Sequence, residues 1–207
     1  MNSDQLLIVF TRNPEIGKVK TRLAKSIGNE AALTIYETLI DHTKNVVSTL
    51  DTDIAVYYSE EISEEDLWSH LNCSKHLQLG RDLGKRMQNA FMDAFEKGYQ
   101  RVQLIGSDLF DLTSDLLMKG FEQLNNHTVV IGPAHDGGYY LIGLTKIPGG
   151  IFENKSWGTN SVFRETLTEL KHETVFLLET LNDIDIYEDL QHHPNLMKLI
   201  KNNDPSH

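Results

Sequence analysis

Phe10-Thr11-Arg12-Asn13-Pro14-Glu15-Ile16-Gly17-Lys18-Val19-Lys20-Thr21-Arg22-Leu23 is the stretch on which the reading of the fold turns. Leu6 to Thr11 is too short for a helix and too apolar for a loop, so it reads as a buried first strand. A long helical pattern follows. Between the two lie Arg12, Lys18, Lys20 and Arg22, with Lys25 just beyond and Glu15 as the sole acid. The chain as a whole has a formal net charge of −11, so this cationic loop opposes the sign of its own protein. Such a loop repels itself unless an anion neutralises it. Glycine-containing turns between a strand and a helix recurrently hold phosphates, and Pro14 and Gly17 give this one its shape.

The rest of the composition narrows the class. A chain of 207 residues suffices for one large domain, expected over residues 1–201, with a disordered tail at 202–207. Its 40% hydrophobic and 24% charged residues fit a globular protein with a full core. No apolar run approaches the roughly 20 residues that span a bilayer. Met1 to Gln5 carries no basic leader, so the expected location is cytoplasmic. Cys73 is the only cysteine, which excludes an internal disulfide and a cysteine metal cluster. The acidic balance argues against nucleic acid as a partner but leaves room for a nucleotide.

Outward from the basic loop, apolar spacing predicts a helix over Asn29–Leu50, entered at Gly28-Asn29, and a strand over Ile54–Tyr58. Ser63 with Asp66 resembles a helix start, giving a short helix through Leu67, Trp68 and Leu71. Leu77–Leu79 reads as a short strand. Asp82 opens a helix whose apolar stripe ends at Gly98, and Val102–Ile105 is a buried strand. Thr113 caps the next helix. Thr128–Gly132 and Tyr139–Leu144 are strands joined by a return too tight for a crossover, so that pair is antiparallel or bent. A helix from Thr159 or Asn160, a strand over Val175–Leu178 and a last helix from Ile186 complete the chain. This alternation predicts an α/β fold: a three-layer α/β/α Rossmann-like domain, mostly parallel, with at least one antiparallel strand.

In such sheets ligands bind beyond the carboxyl ends of the strands. Three polar segments fall there: the basic loop, Gly106-Ser107-Asp108, and His135-Asp136-Gly137-Gly138. The basic loop is neither a Walker A motif, since Val19 follows Gly17-Lys18, nor a G-x-G-x-x-G fingerprint, which removes the common ATPase and dehydrogenase readings and disfavours a small-molecule kinase. Asp108 suits a hard divalent cation such as Mg²⁺ or Mn²⁺, although an aspartate there also caps turns. Asp136-Gly137-Gly138 reads first as turn chemistry, with a closely approached ligand as its second reading. Asp183-Ile184-Asp185 continues into Glu188-Asp189, an acidic run in which Asp185 is the candidate second metal ligand.

Taken together, the basic loop, Leu83-Gly84-Lys85-Arg86-Met87, Gly106-Ser107-Asp108, the run from Gly132 to Leu144, and Asp183-Ile184-Asp185 with Glu188-Asp189-Leu190 resemble the bacterial glycosyltransferase-A-like transferases of the radical-SAM/selenodomain-associated type. More distantly, the chain is similar to 2-phospho-L-lactate guanylyltransferase and the molybdenum-cofactor nucleotidyltransferases. The resemblance implies a nucleotide-diphospho-sugar transferase fold. It implies a nucleotide held by Thr11, Arg12, Gly17, Lys18, Lys20, Arg22, Ser107, Asp136, Gly137 and Gly138, and a metal on Asp108 and Asp185. Lys20, Arg22 and Asp108 would act on the reacting phosphates. Two departures from the family pattern stand out: Leu109-Phe110 where cysteine and proline are common, and Arg12 where lysine is common.

The resulting expectation is a metal-dependent transferase with a nucleoside triphosphate or nucleotide-sugar donor and a small-molecule acceptor. Nucleotidyl and glycosyl transfer stand side by side. The alternative is a nucleotide-sensing or partner-binding module that keeps the fold without turnover.

Overall fold

The computed structural model of the chain describes residues 4–202. Expectations about residues 1–3 and 203–207 lie outside the described residues, whereas Asn202, expected at the start of the disordered tail, is the last residue of a helix. β1 (Gln5–Thr11) leads through the basic loop to α1 (Thr21–Ile27) and α2 (Asn29–Val47), then β2 (Asp53–Tyr58) and β3 (Ser74–Leu77). The chain continues as α3 (Leu83–Glu96), β4 (Arg101–Ile105), α4 (Ser114–Gln123), β5 (Val129–Pro133) and β6 (Tyr139–Leu144). It ends as α5 (Val162–Glu169), β7 (Val175–Leu177), α6 (Tyr187–Gln191) and α7 (Pro194–Asn202).

The strands form one seven-stranded sheet in the order β3-β2-β1-β4-β6-β5-β7. β6 alone runs against its neighbours β4 and β5; every other pairing is parallel. The central strands are buried on both faces, which is why β1 is a continuous apolar run rather than an alternating one. One face carries α2 and α4, whose Tyr36, Ile40, Leu117 and Phe121 pack on Leu7, Val9 and Val56. The other carries α3, whose Met87, Ala90, Phe91 and Ala94 pack on Leu6, Ile8 and Phe10, with Phe163 and Leu167 of α5 alongside. This is the three-layer α/β/α arrangement expected. Each of the larger aliphatic and phenylalanine side chains so buried contributes about 1.5–3 kcal/mol of hydrophobic free energy, offset largely by ordering the chain.

A smaller cluster locks the carboxyl end of the molecule over its beginning. Leu23 of α1 and Ile35 and Leu39 of α2 meet Ile184, Leu190 of α6 and Leu196 of α7. Ile184 is fully buried here, and its backbone N–H donates to the Asp108 carbonyl at 3.4 Å. These contacts bring the acidic segment at 183–185 to the start of the chain.

Local expectations need four corrections. A helix, α1, occupies Thr21–Ile27 where only basic loop was expected; Leu23 is its one fully buried residue, so it leaves almost no periodic trace. Gly28, at φ +83°, ends α1 and admits α2. The segment from Ser63 to Leu71 forms turns rather than a helix. Asp66 explains this, because it accepts from Tyr58 Oη, Lys75 Nζ and the Trp68 N–H and so serves the core instead of a helix start. β3 lies at Ser74–Leu77, three residues before the expected strand, as a polar edge strand. α5 begins at Val162 rather than at Thr159 or Asn160.

Candidate functional site

β1 is flanked by β2 on one side and β4 on the other, so the chain leaves it in one direction and returns on the opposite side. That is the topological switch point at which open α/β sheets bind ligands. A cavity of about 710 Å³ lies there, at the carboxyl ends of β1, β2 and β4. Its walls include Arg12, Lys18, Lys20, Arg22 and Arg86 against Glu60, Asp108 and Asp185. It is therefore a cationic recess in an acidic protein.

Lys20 is its pivot. The residue sits at φ 45°, ψ 42°, a left-handed conformation that long side chains seldom adopt. The surrounding fold holds it there at the entry to α1, as strained residues at functional sites are held. Its side chain is 5% exposed, and Nζ lies 2.9 Å from Asp108 Oδ2 and 3.9 Å from Asp185 Oδ1. Burial alone would lower the Lys20 pKa; Asp108, Asp185 and Asp183 together hold it above the ordinary lysine value. Burial likewise works against the Asp108 charge, but Lys20 and the Arg12 guanidinium keep that carboxyl below the usual carboxylate range. Arg22 Nη1 donates to Asp185 Oδ2 at 2.6 Å across a more exposed surface.

In the cavity lining itself, the ends of β1 and β4 are tied by three hydroxyls. Ser107 Oγ donates to Thr11 Oγ1 at 3.2 Å, and Tyr36 Oη lies 3.2 Å from Ser107 Oγ. The Arg12 N–H donates to Tyr36 Oη at 2.9 Å. Thr11 and Ser107 are both buried, so their hydroxyls position the loops. Gln78 adds a second tie, donating from Nε2 to the carbonyls of Thr11 and Tyr57 while its Oε1 accepts from Arg86. Asn13 joins the basic loop to the segment after β2, donating to the Glu61 carbonyl and accepting from the Glu60 N–H.

The other sequence candidates separate. Lys18 lines the cavity but pairs with Glu15 at 2.8 Å and Glu60 at 3.5 Å. Gly17, at φ +77°, turns the loop and lies outside the lining. Asp136 and Gly138 line a second cavity of about 240 Å³ rather than the cationic one. Asp136 Oδ1 accepts the Gly138 N–H at 2.8 Å, the turn chemistry read first from the sequence. Gly137, at φ +90°, is approached by its own chain: a Cβ there would stand 2.3 Å from the Asn160 carbonyl oxygen.

Four residues escaped the sequence reading of the site. Tyr36 sits on the apolar stripe of α2 and looks like core. Gln78 carries no pattern at all. Arg86 was visible inside Leu83-Gly84-Lys85-Arg86-Met87 but had no assigned place. Asp183 was legible only as part of a charge run; alternation about the buried Ile184 turns both Asp183 and Asp185 away from the core. Asp183 lines the second cavity, where burial and then the like charges of Asp108 and Asp136 push its pKa up to about 6.

The carboxylates also bear on the expected metal. Among the described residues no three His, Cys, Asp or Glu converge as a metal cage. Asp108 and Asp185 do converge on one cationic atom, Lys20 Nζ. Two carboxylates with substrate phosphates completing the shell is the ligand set Mg²⁺ commonly takes, so these residues fit such an ion in kind.

The structure matches a "putative nucleotide-diphospho-sugar transferase" from Desulfovibrio desulfuricans at 31% identity and TM-score 0.87, over 98% of this chain and 96% of that one. It also matches a cytidylyltransferase from Leptospira borgpetersenii (13% identity, TM-score 0.59, 97% and 94% of the two chains). A 4-diphosphocytidyl-2C-methyl-D-erythritol synthase from Anaerococcus prevotii matches at 11% identity and TM-score 0.56, over 95% and 100% of the two chains. The last two likenesses speak for the fold alone. No curated protein matches the chain significantly. The fold is that of nucleotide-diphospho-sugar transferases. The family model described as "Uncharacterized protein conserved in bacteria (DUF2064)" matches residues 42–159, and the chain belongs to that family.

Proposed function

We propose that the protein is a nucleotide-dependent transferase whose donor places its phosphates in the cationic cavity. The observation that carries this reading is the buried Lys20 ammonium, held in a strained backbone conformation beside Asp108 and Asp185 at the switch point of the sheet. Backbone strain and a buried charge both cost stability, and a purely structural turn has no need of either. The name carried by the Desulfovibrio relative points the same way.

In the nucleotidyl version, an acceptor oxygen forms a bond to the α-phosphorus. The bond from that phosphorus to the β-bridging oxygen breaks, pyrophosphate leaves, and the acceptor proton passes to solvent. In the glycosyl version, the acceptor oxygen bonds the anomeric carbon, the bond from that carbon to the β-phosphate oxygen breaks, the nucleoside diphosphate leaves, and the acceptor proton passes to solvent. Either way Lys20 and Arg22 exchange their carboxylate partners for phosphate oxygens and stabilise negative charge on the departing group. Arg12 and Arg86, which line the same cavity, add further positive charge. Asp108 and Asp185 would hold a Mg²⁺ or Mn²⁺ ion, which when bound supplies further neutralising charge to the phosphates.

Isothermal titration with nucleoside triphosphates and nucleotide-sugars, with and without Mg²⁺ or Mn²⁺, tests the reading. Binding of at least one donor class, strengthened by metal and lost in Lys20→Ala, is expected. No binding by any donor refutes it. Donor binding with no turnover across a broad acceptor screen supports the alternative of a sensing module on the same fold.

A further inference from the structure

The second cavity adjoins the first. Phe10, Leu83 and Gly106 line both, so an occupant of one lies against an occupant of the other. The two differ sharply in chemistry. The first presents five cationic side chains. The second presents no Lys, Arg or His among its lining residues. Its only carboxylates are Asp136 at the exposed mouth and Asp183 deeper in, and its walls are Met87, Tyr139, Trp157 and Val162. At about 240 Å³ it falls below the roughly 300 Å³ of the smallest drug-sized sites, so it suits a small, ring-sized body.

The wall is built in advance of any ligand. Gly84 of α3 lies so close to the 152–157 loop that a Cβ would stand 2.3 Å from the Phe152 carbonyl oxygen and 2.6 Å from Trp157 Cζ2. Lys155, whose side chain is fully buried, pairs with Glu169 at the end of α5 and fastens the same loop to that helix. The Phe163 N–H donates to the Gly137 carbonyl at 2.9 Å, tying α5 to the turn that carries Asp136.

Resting on the donor assignment above, we propose that this second cavity is the acceptor subsite, and that it selects a neutral or cationic small molecule with an apolar or aromatic body and rejects a phosphorylated one. Aromatic rings beside carboxylates attract an ammonium or accommodate an alcohol. A phosphate dianion in the same space meets two like charges and finds no cation on the wall to offset its lost hydration. The cations at this end of the sheet belong to the donor cavity, where Asp108 and Asp185 already engage Lys20 and Arg22. Charge therefore sorts the two substrates: the polyanionic donor to one recess, an acceptor without phosphate to the other.

The test uses three probes of one shape: benzyl alcohol, benzylamine and benzyl phosphate. Each is titrated into the full chain while the Trp157 indole and Met87 methyl resonances are followed by NMR. Benzylamine and benzyl alcohol should shift both signals, with benzyl phosphate on the order of a hundredfold weaker at these resonances. Asp136→Asn combined with Asp183→Asn keeps shape while removing charge, and should bring the three affinities within about threefold of one another. Benzyl phosphate binding as tightly as benzyl alcohol, silent Trp157 and Met87 signals with the neutral and cationic probes, or a ranking unmoved in the double variant each overturns the proposal. A nucleoside triphosphate titrated into the same samples reports separately at the Arg12 and Ser107 amides. Failure of the nucleotide to bind while the benzyl ranking holds overturns the donor reading and leaves the charge selection of this cavity standing. Nucleotide binding with the ranking reversed overturns the acceptor proposal alone.

Discussion

Lys20 and Asp108 stand 88 positions apart in the chain and meet at 2.9 Å, the lysine 5% and the aspartate 39% exposed. Neither side chain reaches the other without the parallel pairing of β1 with β4, which brings Thr11 and Ser107 together at the same strand ends. This ion pair ties the basic loop to the acidic half of the site, and several consequences can be measured.

Removing the lysine leaves Asp108 without its main partner. Lys20→Ala should lower stability by about 1–2 kcal/mol in urea unfolding, the half-exposed aspartate recovering part of the loss from water. Lys20→Gly should be the milder of the two by roughly 1 kcal/mol, because glycine accepts the left-handed conformation without strain. Both should lose nucleotide binding alike. A Lys20→Gly variant no more stable than Lys20→Ala would argue against strain at this position.

The Arg22–Asp185 pair should behave differently. Its side chains are 65% and 40% exposed, and exposed pairs contribute little. Asp185→Asn is expected to change the unfolding midpoint by no more than about 0.5 kcal/mol equivalent, while reducing the metal-dependent part of donor affinity in calorimetry. A large loss of stability would assign Asp185 to the fold and not to the site.

Tyr36→Phe removes the oxygen shared by the Arg12 N–H, Thr11 and Ser107. A loss of about 1–2 kcal/mol is expected for a partly buried donor left unpaired. Limited proteolysis should show faster cleavage within residues 12–20, because the knot anchors the start of that loop. Unchanged cleavage would mean that Asn13 and Gln78 hold the loop without it.

Asp183 makes stability depend on pH. Its pKa is pushed up to about 6, first by burial and then by Asp108 and Asp136. A carboxyl raised in the folded state binds protons there more tightly than in the unfolded chain, so its ionised form destabilises the fold. The penalty is fully present above pH 6 and disappears as pH falls from about 6 toward 4. In EDTA, Asp183→Asn should therefore stabilise the protein at pH 8 by about 2 kcal/mol, after allowance for solvent screening, and by nearly nothing at pH 4. Equal effects at the two pH values in thermal or urea unfolding would contradict the raised pKa.

Gly137→Ala would drive a methyl group into the Asn160 carbonyl and strain a backbone at φ +90°. A loss of about 1–3 kcal/mol is expected, with shifted NMR signals over residues 158–163. Donor binding in the cationic cavity should be unaffected, since Gly137 packs on its own chain and lies outside that cavity's lining.

The local sequence determined a good deal. The apolar run at Leu6–Phe10, the alternation of strand and helix, the tight return from β5 to β6 and the position of the polar loops at strand ends were all legible, because each depends on the periodicity or turn chemistry of adjacent residues. The cationic loop was legible as a site for the same reason: five like charges near one glycine are visible without a fold. Other features depended on contacts between distant residues. α1 was hidden because its single fully buried side chain, Leu23, meets partners from α2, α6 and α7. The turns at 63–71 replaced a helix because Asp66 is claimed by Tyr58 and Lys75. Tyr36 looked like core until β1 and β4 brought Thr11 and Ser107 to its hydroxyl. Tertiary structure alone sent Asp136 and Gly138 to a different cavity from Lys20 and Arg22, and set Asp183 among like charges near both. Secondary structure and loop charge are short-range properties of a chain; which charges meet, and across which cavity, is decided by the order in which the strands pair.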